Sequence, residues 1–483
     1  MRGVVLHLRP MELSAARVDS LRDLVAGLRG AGKKVVCWAP GYTTSTYQVA
    51  CAADEILLQR GGMVDSLGVA REYVFLAEAL ERAGVQADLL QITPYKTAGD
   101  ALTKRDFTPE AREMAEWLAE SSFSQLLSAV MVGRGLSSEQ ARALIDESPY
   151  TDAQARSAGL VDDLVSEEEL PGRLDGRLLA WSQAGRRLPR ARPARPGPVV
   201  GLIRIEGTIV DGRSRRAPFK PPFRLPLLFE DQCGDLTVVQ QARALAASRR
   251  VGAVVLWVES GGGSSTASEA MASALAALAG RKPLVAAMGS VAASGGYYVA
   301  TPAATVFAQP GTLTGSIGVL AGKVVVGGLL DRLLVHREVV QRGEHASMSA
   351  ADRPYSEQER RKLMEAIQRS YQIFLERVAA SRGRDTAQLE PVAGGRVWTG
   401  QQAQERGLID ELGGLGRALA EARARAGLRA DAPVREASTG KRELPPTLAT
   451  APATIGHALT VAAALNRAAV WWLSPFTPRE PFG

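Results

Sequence analysis

Short apolar runs alternate with longer stretches of helical spacing along the chain. Gly3 to Leu8, Val85 to Ile92, Ala253 to Val258 and Pro283 to Met288 are continuous and apolar, which predicts buried strands. Val199 to Val210 predicts a further strand early in the second half of the chain. The stretches near Glu110 to Met131 and Glu357 to Ser381 predict helices. Strands that alternate with helices in this order predict an α/β protein with mostly parallel pairing.

The same pattern occurs twice. Gly68 aligns with Gly318, a shift of 250 residues, and that shift also aligns Tyr47 with Tyr297, Gln59 with Gln309 and Ser66 with Ser316. Further on, Thr151 to Leu164 matches Thr399 to Leu412. An internal repeat means one folding unit used twice. The expected organisation is an N-terminal half over 1–170, a basic linker over 171–197, a C-terminal half over 198–427 and a tail over 428–483.

Composition is consistent with this picture. The 483 residues are 46% hydrophobic and 23% charged, which suits a globular chain of two or three domains. The net charge of +7 is concentrated in Arg186 to Arg195 of the linker and in a second irregular segment, Asp211 to Pro226. No aromatic-interleaved basic motif accompanies it, so nucleic acid is not the expected partner. Attraction to an anionic membrane surface fits such charge as well, and a solvated loop is the other reading of Asp211 to Pro226. Cys37, Cys51 and Cys233 show no metal spacing and no disulfide framework, and neither a metal nor a cofactor is expected. Met1-Arg-Gly-Val-Val-Leu-His-Leu opens directly on a strand, without a signal-peptide pattern. In the tail, Ala458 to Leu473 is apolar but interrupted by Asn466-Arg467, too short for a span. It reads as a helix, either interfacial with Trp471 and Trp472 at headgroup level or packed on its own protein.

Chemistry concentrates at Met288-Gly-Ser-Val-Ala-Ala-Ser294-Gly-Gly-Tyr-Tyr. A serine between a buried strand and a helix start can be a nucleophile, and it can equally be an N-cap in a glycine-rich turn. Ser260-Gly-Gly-Gly263 follows another strand, and its glycines let backbone N–H groups face a developing oxyanion. None of His7, His336, His345 and His457 lies in a recognisable nucleophile–base motif. Lys96, in Thr93-Pro-Tyr-Lys-Thr-Ala, follows a buried strand among small and apolar residues. A desolvated lysine can be neutral and act as a base, and a surface lysine beside Tyr95 is the other reading.

The repeat sharpens the choice. Ser294 aligns with Thr44, Lys96 with Ala346, and the Ser260–Gly263 loop with Pro10 to Leu13. One half keeps the lysine and the other keeps the serine and the glycines. A duplicated enzyme that shares one site between its halves would decay in this complementary way.

The four stretches Ser-Gly-Gly-Gly-Ser-Ser-Thr-Ala-Ser-Glu, Ala-Ala-Ser-Gly-Gly-Tyr-Tyr, Thr-Leu-Thr-Gly-Ser-Ile-Gly and Tyr-Lys-Thr-Ala resemble the signal peptide peptidase A (protease IV) family in its long, two-repeat form. The resemblance runs to about Gly427, with Gly261 where the family's loop has proline. It implies tandem ClpP/crotonase-like ββα superhelix domains and a Ser294–Lys96 dyad. It further implies an oxyanion hole from Gly262, Gly263 and Gly295, with Ser316 orienting the lysine. Ser66 holds the same place as Ser316 in the half without a nucleophile, so a plain turn serine is the other reading there. The implied activity is serine endopeptidase action on cleaved signal peptides and other apolar peptides. The implied setting is a homotetramer at the cytoplasmic membrane with its site on the outer side. The family's membrane anchor has no counterpart after Met1, so attachment falls to the basic segments, the tail or residues upstream. Two other classes stay open: a crotonase-type acyl-CoA enzyme and a non-catalytic membrane scaffold.

Overall fold

The computed structural model describes residues 3–9, 11–174, 178–187, 197–216 and 231–437, with the backbone of 471–473. The protein is mixed α/β and forms two compact units. One comprises Met1–Arg71 with Leu118–Gly197, and the other Glu72–Trp117 with Pro198–Glu480. Residues 72–117 were expected in the N-terminal half, yet they pack within the second unit.

In the first unit, Gly3–His7, Lys34–Ala39, Glu55–Leu58 and Asp163–Leu164 form a four-stranded parallel sheet in that order. The middle strands read Val-Val-Cys-Trp-Ala and Ile-Leu-Leu. Both their faces are buried, as continuous apolar strands in parallel sheets require.

The second unit repeats this frame. Val199–Glu206, Val251–Ser260, Leu284–Ala293, Thr305–Ala308 and Glu411–Leu412 pair in parallel. Equivalent side chains make equivalent bonds in the two units. Tyr47 Oη donates to Leu160 O at 2.8 Å, and Tyr297 Oη to Leu408 O at 2.7 Å. Asp162 accepts from Ile56 N–H and pairs with Arg134, as Asp410 accepts from Val306 N–H and pairs with Arg382. Each buried tyrosine hydroxyl is thereby satisfied in the same way twice, and each exposed carboxylate ties the same strand to an arginine.

One feature of the second unit aims its strand at the site. Leu284–Ala293 pairs first with Thr305–Ala308, through Val285 to Ala287, and then with Leu313–Gly315, through Val291 to Ala293. Its register with Val251–Ser260 shifts between Val258 and Ser260. There the Glu259 carboxylate accepts from the N–H groups of Ser290 and Val291 at 3.0 and 3.3 Å. A Cβ on Gly289 would lie 2.1 Å from Glu259 Oε2, so a larger residue here would displace the carboxylate from these bonds. Such irregularities redirect a strand next to functional sites, and this one delivers Ala293 to the turn at Ser294.

A second sheet of the same unit has the order Gln232–Gly234, Thr208–Val210, Gly262–Ser264, Trp471–Leu473, Leu320–Val325, Gln86–Gln91. Two expectations change here. Gly262 and Gly263, expected in a loop, belong to a strand. The end of the apolar run in the tail, expected as a helix, is a strand at 471–473, because its backbone pairs with Gly262–Ser264 and with Leu320. Residues 458–470 of that run lie outside the described residues, as do 175–177 and 188–196 of the linker and 217–226 of the second basic segment. The described parts of the linker include two short helices, Leu170–Arg173 and Trp181–Arg187. Among the described residues, no helix is long and apolar enough to cross a membrane.

Candidate active site

All the candidate site residues lie within the second unit. Ser294 sits between the Leu284–Ala293 strand and the short Gly295–Ala300 helix, at φ 54° and ψ −118°. Positive φ is rare for a residue with a side chain and marks a held, strained turn. The turn is fixed at both ends: Ser294 N–H donates to Gly315 O at 2.8 Å, and Ser294 O accepts from Tyr298 N–H at 2.9 Å.

Lys96 follows the Gln86–Gln91 strand, which pairs antiparallel with Leu320–Val325 from Leu320↔Gln91 to Val325↔Gln86. This pairing carries the lysine to the serine. Lys96 Nζ lies 2.8 Å from Ser294 Oγ, 2.9 Å from Ser316 O and 3.0 Å from Ser316 Oγ. Lys96, Ser294 and Ser316 are all 0% exposed. A neutral amine has two N–H donors and one lone pair, so these three partners match it: Ser316 O and Oγ accept, and the Ser294 hydroxyl donates.

Burial holds the Lys96 pKa well below its ordinary value, because the charged amine loses its hydration. Lys323, another buried lysine, differs in its surroundings. It donates to Met348 O and Ala350 O, and its pKa is lowered by burial and by the charge of Arg353, with Glu359 and Asp88 offsetting part of that. For Lys96 burial is the one cause, with no carboxylate among the described residues to offset it.

The glycines divide into distinct roles. Gly262 N–H donates to Ser260 Oγ at 3.1 Å, and Ser260 Oγ donates to Gly207 O at 2.6 Å. The Gly262 N–H is thereby engaged, and the neighbouring Gly263 becomes the candidate donor from this strand. A Cβ on Gly295 would lie 2.7 Å from Ser268 Oγ, 3.1 Å from Gly262 Cα and 3.3 Å from the Gly263 nitrogen. The backbones of Gly295 and Gly263 are therefore side by side next to Ser294, as a two-donor oxyanion site requires. Gly263, at φ 154°, also abuts Ile209, whose oxygen would lie 2.0 Å from an added Cβ.

Several supporting residues escaped the sequence. A Cβ on Gly395 would lie 2.6 Å from both the nitrogen and the Cα of Lys96, and one on Gly318 would lie 3.2 Å from Lys96 Cδ. These glycines wall the lysine stem. Behind them, the Arg396 guanidinium covers the Tyr95 ring at 3.8 Å, Tyr95 stacks on Trp117, and Trp117 stacks on Trp398 at 4.7 Å. Trp117 Nε1 donates to Val397 O at 2.9 Å. The adjacent Gly394-Gly395 pair is the only local signal that could have pointed to this wall.

The repeat counterparts of these residues are differently placed. Thr44 Oγ1 donates to Ser66 O at 3.1 Å, and Ser66 is exposed. Ala346, the counterpart of Lys96, is exposed. Among the described residues, no group of three or more His, Cys, Asp and Glu could hold a metal ion.

The model of peptidase family S49 matches residues 28–177 and again 276–429. The chain belongs to peptidase family S49. It is 30% identical over 88% of its length to a chloroplastic serine protease SPPA of Arabidopsis thaliana, of which it spans 63%. It is 29% identical to protease 4 of Haemophilus influenzae over 91% of its length, and 31% identical to protease 4 of Salmonella typhi over 87%. It spans 72% and 68% of those two proteins. Its two matched segments fall one in each repeat, in agreement with the internal duplication.

Proposed function

We propose that this S49 chain is a serine endopeptidase with a Ser294–Lys96 dyad, degrading cleaved signal peptides and other apolar peptides. The observation that carries the reading is the contact between a buried, neutral-leaning lysine amine and a buried serine hydroxyl in a strained turn. Neutral Lys96 Nζ takes the Ser294 proton as Oγ bonds to the scissile carbonyl carbon. The N–H groups of Gly295 and Gly263 hold the oxyanion. On collapse the C–N bond breaks, and Lys96 returns its proton to the leaving amine. Water then attacks the acyl-serine ester and gives a proton to Lys96. The acid leaves, and Ser294 recovers its hydroxyl proton from the lysine. Ser316 orients the amine through its two oxygens. An acyl-CoA enzyme would have no use for a lysine amine against a serine hydroxyl.

The finer parts of the reading are also proposals. The repeated strand–helix units are ClpP/crotonase-like superhelical domains, supported by the shared parallel order of the two sheets. The protein works as a homotetramer at the outer side of the cytoplasmic membrane. Support for assembly comes from the exposed apolar residues Leu333, Leu334, Val335, Val339 and Val340. At the 250-residue shift they correspond to the region of the Gln86–Gln91 strand, so a second copy of this chain is the partner they fit.

The test is covalent labelling. A fluorophosphonate or peptide-aldehyde probe should modify the wild-type protein at Ser294, located by peptide mapping. Labelling elsewhere, or equal labelling of Ser294→Ala, would remove the dyad.

A further inference from the structure

The tail strand Trp471–Leu473 lies between Gly262–Ser264 and Leu320–Val325 and pairs antiparallel with both. Its partners are Gly262↔Leu473, Gly263↔Trp472 and Ser264↔Trp471 on one side, and Leu320↔Trp471 on the other. Both neighbours come directly from the site. One contains Gly263, beside Gly295 and Ser294. The other begins two residues after Gly318 and pairs with the Gln86–Gln91 strand that precedes Lys96.

Without residues 471–473, these two strands would face each other across a slot one strand wide, about 9.5 Å between their axes. Each would present an open edge of backbone donors and acceptors. Such a slot takes an extended peptide through main-chain hydrogen bonds, largely independent of side-chain identity. The segment in the slot ends the apolar run Ala458-Leu-Thr-Val-Ala-Ala-Ala-Leu-Asn-Arg-Ala-Ala-Val-Trp-Trp-Leu473. That run is small and apolar, like the peptides proposed above as substrates.

We propose that the chain's own C-terminal segment occupies the substrate strand of the active site and acts as a tethered competitive inhibitor. The inference rests on the peptidase reading for its consequence, while its binding step stands apart from catalysis. A tethered ligand competes at an effective concentration on the order of millimolar. A peptide entering in trans must displace it, so apparent affinity falls by the fraction of molecules with an empty slot. The penalty falls on KM, because the site that remains once the tail leaves is unchanged.

The experiment compares the full chain with a form ending at Ala437 and with Trp472→Pro in the full chain. Proline removes a backbone donor and disfavours a central strand. Both variants are expected to lower KM for a short apolar fluorogenic peptide by about tenfold or more, with kcat nearly constant. A fluorescein-labelled synthetic peptide spanning Asn466–Pro478 is expected to bind the truncated Ser294→Ala protein, read by anisotropy, and to bind the full-length Ser294→Ala protein far more weakly. Equal binding to both, or no binding to either, overturns the proposal, as does an unchanged KM in active truncated enzyme. Selective binding with no hydrolysis by any form supports the occupied slot and removes the peptidase reading.

Discussion

Lys96 Nζ lies 2.8 Å from Ser294 Oγ, although 198 residues separate the two in sequence. The contact is made inside one compact unit and shielded from solvent. A solvated lysine amine would be protonated at neutral pH and useless as a base. Here the fold that brings the two groups together also removes the water that would keep the amine charged.

Loss of either dyad member should abolish turnover. Ser294→Ala and Lys96→Ala are each expected to lower kcat by on the order of 10³-fold or more, with little change in the melting temperature of Ser294→Ala. Lys96→Arg should be equally inactive, since guanidinium does not give up its proton. Thr44→Ala, at the repeat counterpart of the nucleophile, should retain activity. Steady-state hydrolysis of a fluorogenic peptide measures all four, and substantial turnover by Ser294→Ala would contradict the dyad.

The depressed lysine pKa sets two pH dependences of known sign. Activity should rise with pH as Lys96 deprotonates, on a limb well below the free-lysine value of about 10.4. Stability should also rise with pH. Between the folded and unfolded pKa values the unfolded chain binds the extra proton, so the folding penalty of a neutral Lys96 shrinks as pH climbs toward about 10.4. Lys96→Met removes this linkage. It should melt at a higher temperature than wild type at pH 7, with the gap closing at higher pH. A melting temperature below wild type throughout would contradict a neutral buried amine.

Ser316→Ala removes one of the two oxygens that accept from Lys96 and leaves the other, the backbone carbonyl. A drop in kcat of roughly tenfold is expected, the amine being less firmly aimed. The activity limb should move to lower pH, because the charged amine loses an acceptor. A serine that only shapes the turn would leave the limb where it was.

Gly395→Ala should act on catalysis without touching a reacting group. The added Cβ would press on the backbone of Lys96 at 2.6 Å, from a residue at φ 89°. The strain should cost about 1–3 kcal/mol of stability. A displacement of the lysine by even 1 Å should lower kcat by about 10²-fold. Thermal melting and peptide hydrolysis together separate the two effects, and wild-type activity would show that this wall does not position Lys96.

The sequence alone determined most of the local elements and the duplication, and it singled out the residues proposed here to carry the chemistry. The apolar runs around Leu256 and Ala286 read as buried strands, and the serine after the second reads as part of a strand–helix turn. Lys96 stood out because small and apolar neighbours surround it. Complementary loss at Thr44 and Ala346 linked lysine to serine before any distance was known. These features are legible because burial periodicity and turn chemistry are short-range properties of the chain.

Tertiary structure alone decided where the distant segments pair. The Gln86–Gln91 strand lies against Leu320–Val325, which draws residues 72–117 into the second unit. It engages the Gly262 N–H through Ser260, leaving Gly263 as the candidate donor. It sets Gly395 against Lys96 and turns 471–473 into a strand beside Gly263. Apart from the Gly394-Gly395 pair, none of this has a local signature, because the backbone groups of an edge strand can be satisfied by any extended segment that reaches them. The choice among such segments depends on the packing of the whole unit.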